Sequence, residues 1–560
     1  MNRQAIFHLS ESPYSFPLSE KEFFFRLRLG IEDKEAKVYV HYGNKFFLAE
    51  MKKRIEMPLA RVDGLFAYFE VIAPLEDNRV GYVFEIEEGG KTYYYTERGL
   101  LEEYVFKDCY KDYFEYSCVH PEDPSLPPSW TKNAVFYQIF PDRFRLGDES
   151  KDKSYITMDW FASPKPGDFA GGDLKGIADS IGYLSSLGIN AIYLTPIFKA
   201  MTSHKYDTID YMRIDPQFGT EEDLASLLAK AHQAGIKVVL DAVFNHVSAL
   251  SPFFQDAVKK GKESPYFDWF YVEGDAIDFK KRNYQTFSLA RYMPKLKVTN
   301  PETEAYLLEV VLHYLRLGID GWRFDVGDEI SHSFIRKVRE KVKAAFPEAL
   351  MLGEHWHNAH SFLRGDEYDG VMNYPFTYAA YDYIIYGKDD ARRSAFRLNE
   401  LYTHYRFQNA LACLNLLDSH DTHRFLNLAK GNQAKLQCAI AMEFFFPGMS
   451  CLYYGTEIPM DGGFDPDCRR GFPYETALKG SKHMEVVKQL IKIRKDPRLG
   501  SYHFLAKEEN GLLILSRGEG KSLKLAINQT GKDVVFDKTP IYSANLEGNL
   551  LHNDGFAIFE

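Results

Sequence analysis

The sequence predicts an α/β protein: a (β/α)8 TIM barrel with an N-terminal β-sandwich module, an inserted subdomain after barrel strand 3 and a C-terminal β-sandwich. Three observations lead there. Between Asn133 and about residue 496, short apolar runs are followed by longer helical patterns, the signature of repeated βα units around a parallel sheet. On both sides of that stretch the period changes to two, with turn residues between runs, as in antiparallel sandwiches. Polar and charged residues end several of the central apolar runs, where a barrel holds its chemistry.

Composition bounds the answer. A chain of 560 residues is long enough for a large barrel and one or two modules. Its 45% hydrophobic and 26% charged content is that of a soluble globular protein. A net charge of −11 argues against a nucleic-acid partner, which calls for a basic patch to displace counterions from phosphates. The 37 Tyr and 43 Phe are a high aromatic load; most fill cores, and aromatic faces also stack on sugar rings. Cys109, Cys118, Cys413, Cys438, Cys451 and Cys468 lack CxxC or metal-ligand spacing and read as free thiols. The start, Met1 to His8, lacks the apolar run of a secretory signal, and no stretch approaches the roughly 18 apolar residues of a membrane span. A cytoplasmic location without membrane contact is expected.

Taken in order, residues 1–122 form the N-terminal β-sandwich, with runs such as Phe23 to Leu29 and Lys37 to Tyr42 broken at Gly43-Asn44 and Gly89-Gly90. The proline-rich stretch Pro121 to Pro128 is the linker. The catalytic barrel is expected over 123–496. Its strands fall at Ala134–Phe140, Ile189–Leu194, Lys237–Phe244, Gly318–Asp325, Ala349–Glu354, Gly370–Asn373, Ala410–Leu416 and Met449–Tyr454. Helices are expected at Asp173–Leu187, Glu221–Ala234, Pro301–Leu317 and Ile335–Phe346. The gap between the third and fourth strands exceeds what one helix needs, so about 247–298, with Pro252, Pro265 and Pro294, is an excursion over the barrel mouth. Alternation returns at Leu512 to Ser516 and Leu523 to Asn528, placing the C-terminal β-domain at 497–560.

The chemistry centres on Gly321-Trp322-Arg323-Phe324-Asp325-Val326. On a strand, Arg323 and Asp325 share one face while Trp322, Phe324 and Val326 pack on the other. A guanidinium beside Asp325 should lower its pKa and keep it ionised as a nucleophile. Alone, the pair reads equally well as a structural ion pair. However, Asp241 to His246, Glu354 and Ser419-His420-Asp421 also lie at strand ends. A barrel has no structural need to gather carboxylates at one rim against their mutual repulsion. Asp325 and Glu354 on neighbouring strands, about 4.8 Å apart, suit the carboxyl separation of roughly 5–5.5 Å in a retaining glycosidase. Glu354, beside Trp356 and near other carboxylates, should have a raised pKa and serve as acid.

These stretches resemble the signature regions of the α-amylase family of glycoside hydrolases: Asp241 to His246, Gly321 to Val326, Gly353 to His357 and Leu417 to Asp421. Met293-Pro294-Lys295-Leu296, the stretches Leu363 to Asp366 and Val371 to Pro375, and Asp461 to Arg470 are similar to its cyclomaltodextrinase, neopullulanase and maltogenic amylase branch. The resemblance implies Asp325 as nucleophile, Glu354 as general acid/base and Asp421 as the third carboxylate. Arg323 would orient Asp325, His246 and His420 would bond the same sugar, and Tyr206 would stack beneath it. Asp465 and Arg469 would hold the next sugar, and Trp356 would stack on the leaving-group side. The implied reaction is retaining hydrolysis of α-1,4 bonds, with some α-1,6 cleavage and transglycosylation, in cyclodextrins, maltooligosaccharides or pullulan. An ordinary starch-degrading α-amylase, a glucanotransferase and a catalytically dead glucan-binding scaffold are the alternatives. A homodimer through the N-terminal module is also implied, with a glucan-binding appendage on a monomer as the alternative. His355 departs from the branch, which more often has an apolar residue there. A calcium loop of some relatives aligns with Phe144 to Asp152 and Gly171-Gly172-Asp173, but Leu146 and Lys151 replace oxygen donors. Calcium takes six to eight oxygens, so no metal or other cofactor is expected to be required.

Overall fold

The computed structural model describes residues 1–108 and 112–560; Cys109 lies outside them. The barrel strands are β1 (Val135–Ile139), β2 (Ala191–Leu194), β3 (Lys237–Ala242), β4 (Gly321–Phe324), β5 (Leu350–Gly353), β6 (Gly370–Val371), β7 (Leu414–Leu416) and β8 (Met449–Tyr453). They pair in the order β6-β5-β4-β3-β2-β1-β8-β7, all parallel. A parallel bridge between Met372 and Leu414 joins the two ends, and Asn373 N–H donates to Leu414 O at 2.8 Å. The barrel interior is filled by Phe136, Tyr193, Val239, Leu350, Leu352 and Leu414. Trp322, fully buried, belongs to the layer shared with the surrounding helices. Gly370 is required by close approach: a Cβ there would meet Ala412 O at 2.0 Å.

Local chemistry sets the helix limits. Helix Glu221–Gln233 starts at a capping box between Thr220 and Asp223. Helix Pro301–Leu317 starts on the Asn300 side chain and stops at Gly318, whose φ of 111° only glycine adopts readily. The helix expected over Asp173–Leu187 is two pieces, Leu174–Ala178 and Ile181–Leu187. Ser180 Oγ donates back to Gly176 O at 2.8 Å, a local bond that competes with continuing the helix. The strand expected from Ala410 starts only at Leu414, because Phe407–Ala412 closes a helical turn first.

The N-terminal module has two antiparallel sheets around Phe23, Phe25, Leu27, Val40, Tyr82 and Phe84. Alternation sends Phe24 outward onto Phe407 of the barrel, with ring centroids 4.7 Å apart. Buried Arg26 crosses the same boundary, donating to Thr403 O at 2.9 Å. The C-terminal strands form a six-stranded antiparallel sheet with apolar residues on both faces; Leu513, Leu515 and Ile527 join the main core. Asn399 stitches all three parts, donating to Val62 O and Ala506 O and accepting from Ala506 N–H, each at 2.9 Å. Over 247–298 lie helix Pro252–Lys260, short turns and isolated bridges, one of which pairs His246 with Lys295. The excursion is thereby anchored at the end of β3.

Candidate active site

One guanidinium organises the rim. Arg323, on β4 opposite Asp241 of β3, is fully buried. Its Nη1 lies 3.0 Å from Asp241 Oδ1 and 2.8 Å from Asp325 Oδ1, and its Nη2 lies 2.9 Å from Glu354 Oε1. The Nη1 contacts are aligned hydrogen bonds. Just past β4 the chain turns out of the strand: Val326 has φ 47°, and its N–H donates to Glu354 Oε2 at 2.9 Å. Val326 therefore does not continue the alternation expected of a strand; it turns its amide to the glutamate.

Electrostatics correct a second expectation. Arg323 is expected to hold Asp325 below the usual carboxylate range, but the carboxyl is buried and the guanidinium's charge is divided among three carboxylates. Burial lifts Asp325 well above its ordinary value, against the pull of Arg323 and reinforced by Glu354 and Asp241. Burial also raises Glu354, the direction expected, and pushes Asp241 up to about 6.

The remaining rim residues converge. Tyr206 Oη donates to Asp241 Oδ2 at 2.9 Å and lies 2.6 Å from His420 Nε2, with the two rings stacked at 5.4 Å and 6°. Gln138 Nε2 donates to His420 Nδ1 at 2.8 Å, which leaves the imidazole proton on Nε2, 3.1 Å from Asp421 Oδ2. Burial drives His420 well below its ordinary pKa and His246 to about 3, so both rings are neutral. Asp421 keeps 29% side-chain exposure, more than Asp325 or Glu354, and faces Arg469 Nη2 at 3.4 Å. Being otherwise enclosed by protein, it too is raised. Arg469 Nη1 pairs with Asp465 Oδ1 at 2.8 Å. Trp356 lies flat on Tyr374, 3.9 Å between centroids and 8° between planes, so a ligand has one face left. His246 stacks on Phe287 of the excursion at 4.9 Å. His355 is buried edge-on to Phe362 at 4.7 Å.

Sequence reasoning gave no role to Gln138, Tyr193 and Tyr374. Tyr193 Oη donates to Asp241 Oδ2 at 2.5 Å, and Gln138 sets the His420 tautomer. The available signal was a polar group near the end of an apolar strand, which becomes meaningful only once register is known.

At the calcium-like loop, the Lys151 ammonium lies 2.9 Å from Asp173 Oδ2 and donates to Gln217 O at 2.8 Å. Asp173 also accepts N–H groups from Gly147, Asp148 and Gly176. A divalent cation there would meet an ammonium and a carboxylate already saturated with donors, so the residues do not fit one.

A barrel rim carrying carboxylates on one guanidinium, with a stacked aromatic and neutral histidines, is a site for acid/base and nucleophilic chemistry on a polyhydroxylated substrate. Comparison with known proteins narrows the class. The model "Alpha amylase, catalytic domain" matches residues 138–500, and "Alpha amylase, N-terminal ig-like domain" matches 1–120. The chain is 40% identical over 543 residues to a cyclomaltodextrinase of Thermoanaerobacter pseudethanolicus, covering 96% of this chain and 94% of that one. It is 38% identical over 554 residues to neopullulanase 2 of Thermoactinomyces vulgaris, covering 94% and 93%. A solved cyclomaltodextrinase superposes with a TM-score of 0.92 at 34% identity over 100% of both chains. The chain belongs to the α-amylase family of glycoside hydrolases.

Proposed function

We propose that the protein is a retaining α-glucan hydrolase of the cyclomaltodextrinase and neopullulanase type, cleaving α-1,4 bonds in cyclodextrins, maltooligosaccharides and pullulan, with some α-1,6 cleavage and transglycosylation. The observation that carries it is Arg323 touching both Asp325 and Glu354. Asp325 Oδ1 and Glu354 Oε1 meet one guanidinium at 2.8 and 2.9 Å from neighbouring strands, which supports the short carboxyl spacing of a retaining pair, roughly 5–5.5 Å, over the water-wide gap of an inverting one. Asp325, with the aligned bond from Arg323, attacks the anomeric carbon as Glu354 gives its proton to the departing glycosidic oxygen. The resulting glycosyl ester is cleaved by water, whose proton returns to Glu354. Asp421 and neutral His246 and His420 accept or donate to sugar hydroxyls, and Tyr206 supplies the ring face beneath. Asp465 and Arg469 take the next sugar, and the open face of Trp356 takes the leaving side.

The test is early product analysis by NMR on β-cyclodextrin, pullulan and soluble starch. Cyclodextrin preference with α-anomers first is expected. β-Anomers first would sink the retaining mechanism, starch preference would make it an ordinary α-amylase, and no release at all would make it a scaffold.

No metal enters this chemistry, and Lys151 is the reason to expect none to be needed. Dialysis against EDTA should leave both the melting temperature and the cyclodextrin rate unchanged, and calcium should add nothing. A melting temperature that falls with EDTA and returns with calcium would refute metal independence.

Exposed Phe46, Phe47 and Met51 give the N-terminal module an apolar patch for a second copy in a homodimer, which sedimentation velocity tests. The five described cysteines are unpaired, as in a reducing cytoplasm, and no helix among the described residues is long and apolar enough to cross a membrane.

A further inference from the structure

Two ammonium groups grip one turn beneath the site. Lys205 is fully buried. Its Nζ lies 2.9 Å from Asp215 Oδ2, donates to Gln217 Oε1 at 2.5 Å, and sits 5.0 Å and 5.6 Å from the ring centroids of Phe218 and Phe169. Lys151 arrives from the loop after β1 and binds the backbone carbonyl of the same Gln217. Asp215 is held in turn, accepting N–H from Ala200 at 3.0 Å and from Gln217 at 2.9 Å. The residues 215–218 are thus fixed by one cation through side chains and by another through the main chain.

A methionine would fill the Lys205 space without taking a charge out of water. What the ammonium adds is direction, because its N–H groups meet a carboxylate, an amide oxygen and two ring faces at fixed places. The next residue is Tyr206. Lys205 has φ 63°, a left-handed turn rarely adopted without support, and this turn projects Tyr206 toward Asp241 and His420. The Tyr206 N–H is also tied to His204 Nδ1 at 3.1 Å. The other charged contacts of the segment 203–206 are Arg143 Nη2 to Ser203 Oγ at 3.5 Å and the Tyr206 hydroxyl to Asp241 Oδ2, so Lys205 is the cation next to the ring.

We propose that Lys205 and Lys151 form a two-cation pin, locked through Gln217, that sets the place of the Tyr206 ring, making Lys205 a positioning residue for the reactive subsite. The inference rests on the glucan-hydrolase reading for its kinetic test and not for its structural one. It differs from a folding role in acting through Tyr206, so it is tested by a double-mutant cycle. On β-cyclodextrin, Lys205→Met should lower kcat/KM by about 10- to 100-fold in the native background, and by less than about threefold when Tyr206→Ala has already removed the ring. Equal losses in both backgrounds would overturn the pin. Gln217→Leu should lower the rate in the same ring-dependent way, and Gln217→Glu, which keeps an acceptor oxygen, should restore it. These carry the cycle if Lys205→Met does not fold. Crystal structures of Lys205→Met or Gln217→Leu should show the Tyr206 ring displaced from its parallel stack on His420. A ring unmoved in both would refute the proposal whatever the substrate is, while an inactive native enzyme would refute only the glucan reading.

Discussion

Glu354→Gln is expected to lower β-cyclodextrin hydrolysis by about 10⁴-fold, and Asp325→Asn by at least as much, while neither lowers the melting temperature. The kinetic half follows from the roles: an amide cannot give a proton to the glycosidic oxygen, and it cannot form the glycosyl ester. Glucosyl fluoride separates the two. Fluoride leaves without a proton, so Glu354→Gln should still be glycosylated by it, and Asp325→Asn should not. Azide should rescue a Glu354→Ala variant to an α-glucosyl azide, since it attacks the ester from the face opposite Asp325. The stability half follows from burial. Both carboxyls are raised above their unfolded values, so the native state binds more protons than the unfolded one between those values. Their contribution is present below the ordinary carboxyl range and lost as pH rises through the folded pKa. At neutral pH the charged groups are therefore a stability cost that a neutral amide removes. For the same reason the limbs of the native pH–rate profile should lie above the ordinary carboxyl values of about 4. Variants keeping more than a tenth of the native rate would remove Asp325 and Glu354 from the mechanism.

The barrel was legible because its strands are buried on both faces and read as unbroken apolar runs bounded by turn residues. All eight runs hold strands, though the seventh begins late because a helical turn closes over Phe407–Ala412, and the helix expected over Asp173–Leu187 breaks where Ser180 bonds back to Gly176. Arg323 and Asp325 could be seen as neighbours because two residues on a strand share a face. What could not be seen was that Arg323 also reaches Asp241 and Glu354, since partners 82 and 31 positions apart meet only through register. Burial chiefly reversed the expected Asp325 shift, and the neighbouring Glu354 and Asp241 carboxyls added to it. Asp465, Arg469 and Tyr206 were found through family resemblance, not through periodicity, because they lie on loops where no period operates, whereas Asp421 stood out by its place just beyond the seventh strand and took its role from the resemblance. Gln138 and Lys205 escaped both routes: each acts by holding another residue, so its own position carries no chemical signature.

Arg323→Met should be the most destabilising single change in the barrel, by about 3–5 kcal/mol at pH 7. The side chain is fully buried and faces carboxyls of Asp241, Asp325 and Glu354, so removing it leaves buried anions without a counter-charge. They can escape only by taking up protons, which raises their folded pKa values further. The variant's native state then binds still more protons than its unfolded state, so its deficit against the native protein shrinks as pH falls toward the ordinary carboxyl range of about 4. Buried neutral histidines such as His246 make both proteins less stable in acid, since their unfolded forms charge first, but that loss is common to both and cancels in the difference. Urea unfolding of both proteins at pH 7 and pH 5 reads the effect directly. A deficit independent of pH would mean that lost packing, and not stranded charge, is responsible. Arg323→Lys should rescue little, because a point charge on one nitrogen cannot span carboxyls that the guanidinium meets on two. Its hydrolysis rate should stay about 10²-fold down, with Asp325 no longer held as the anion that attack requires.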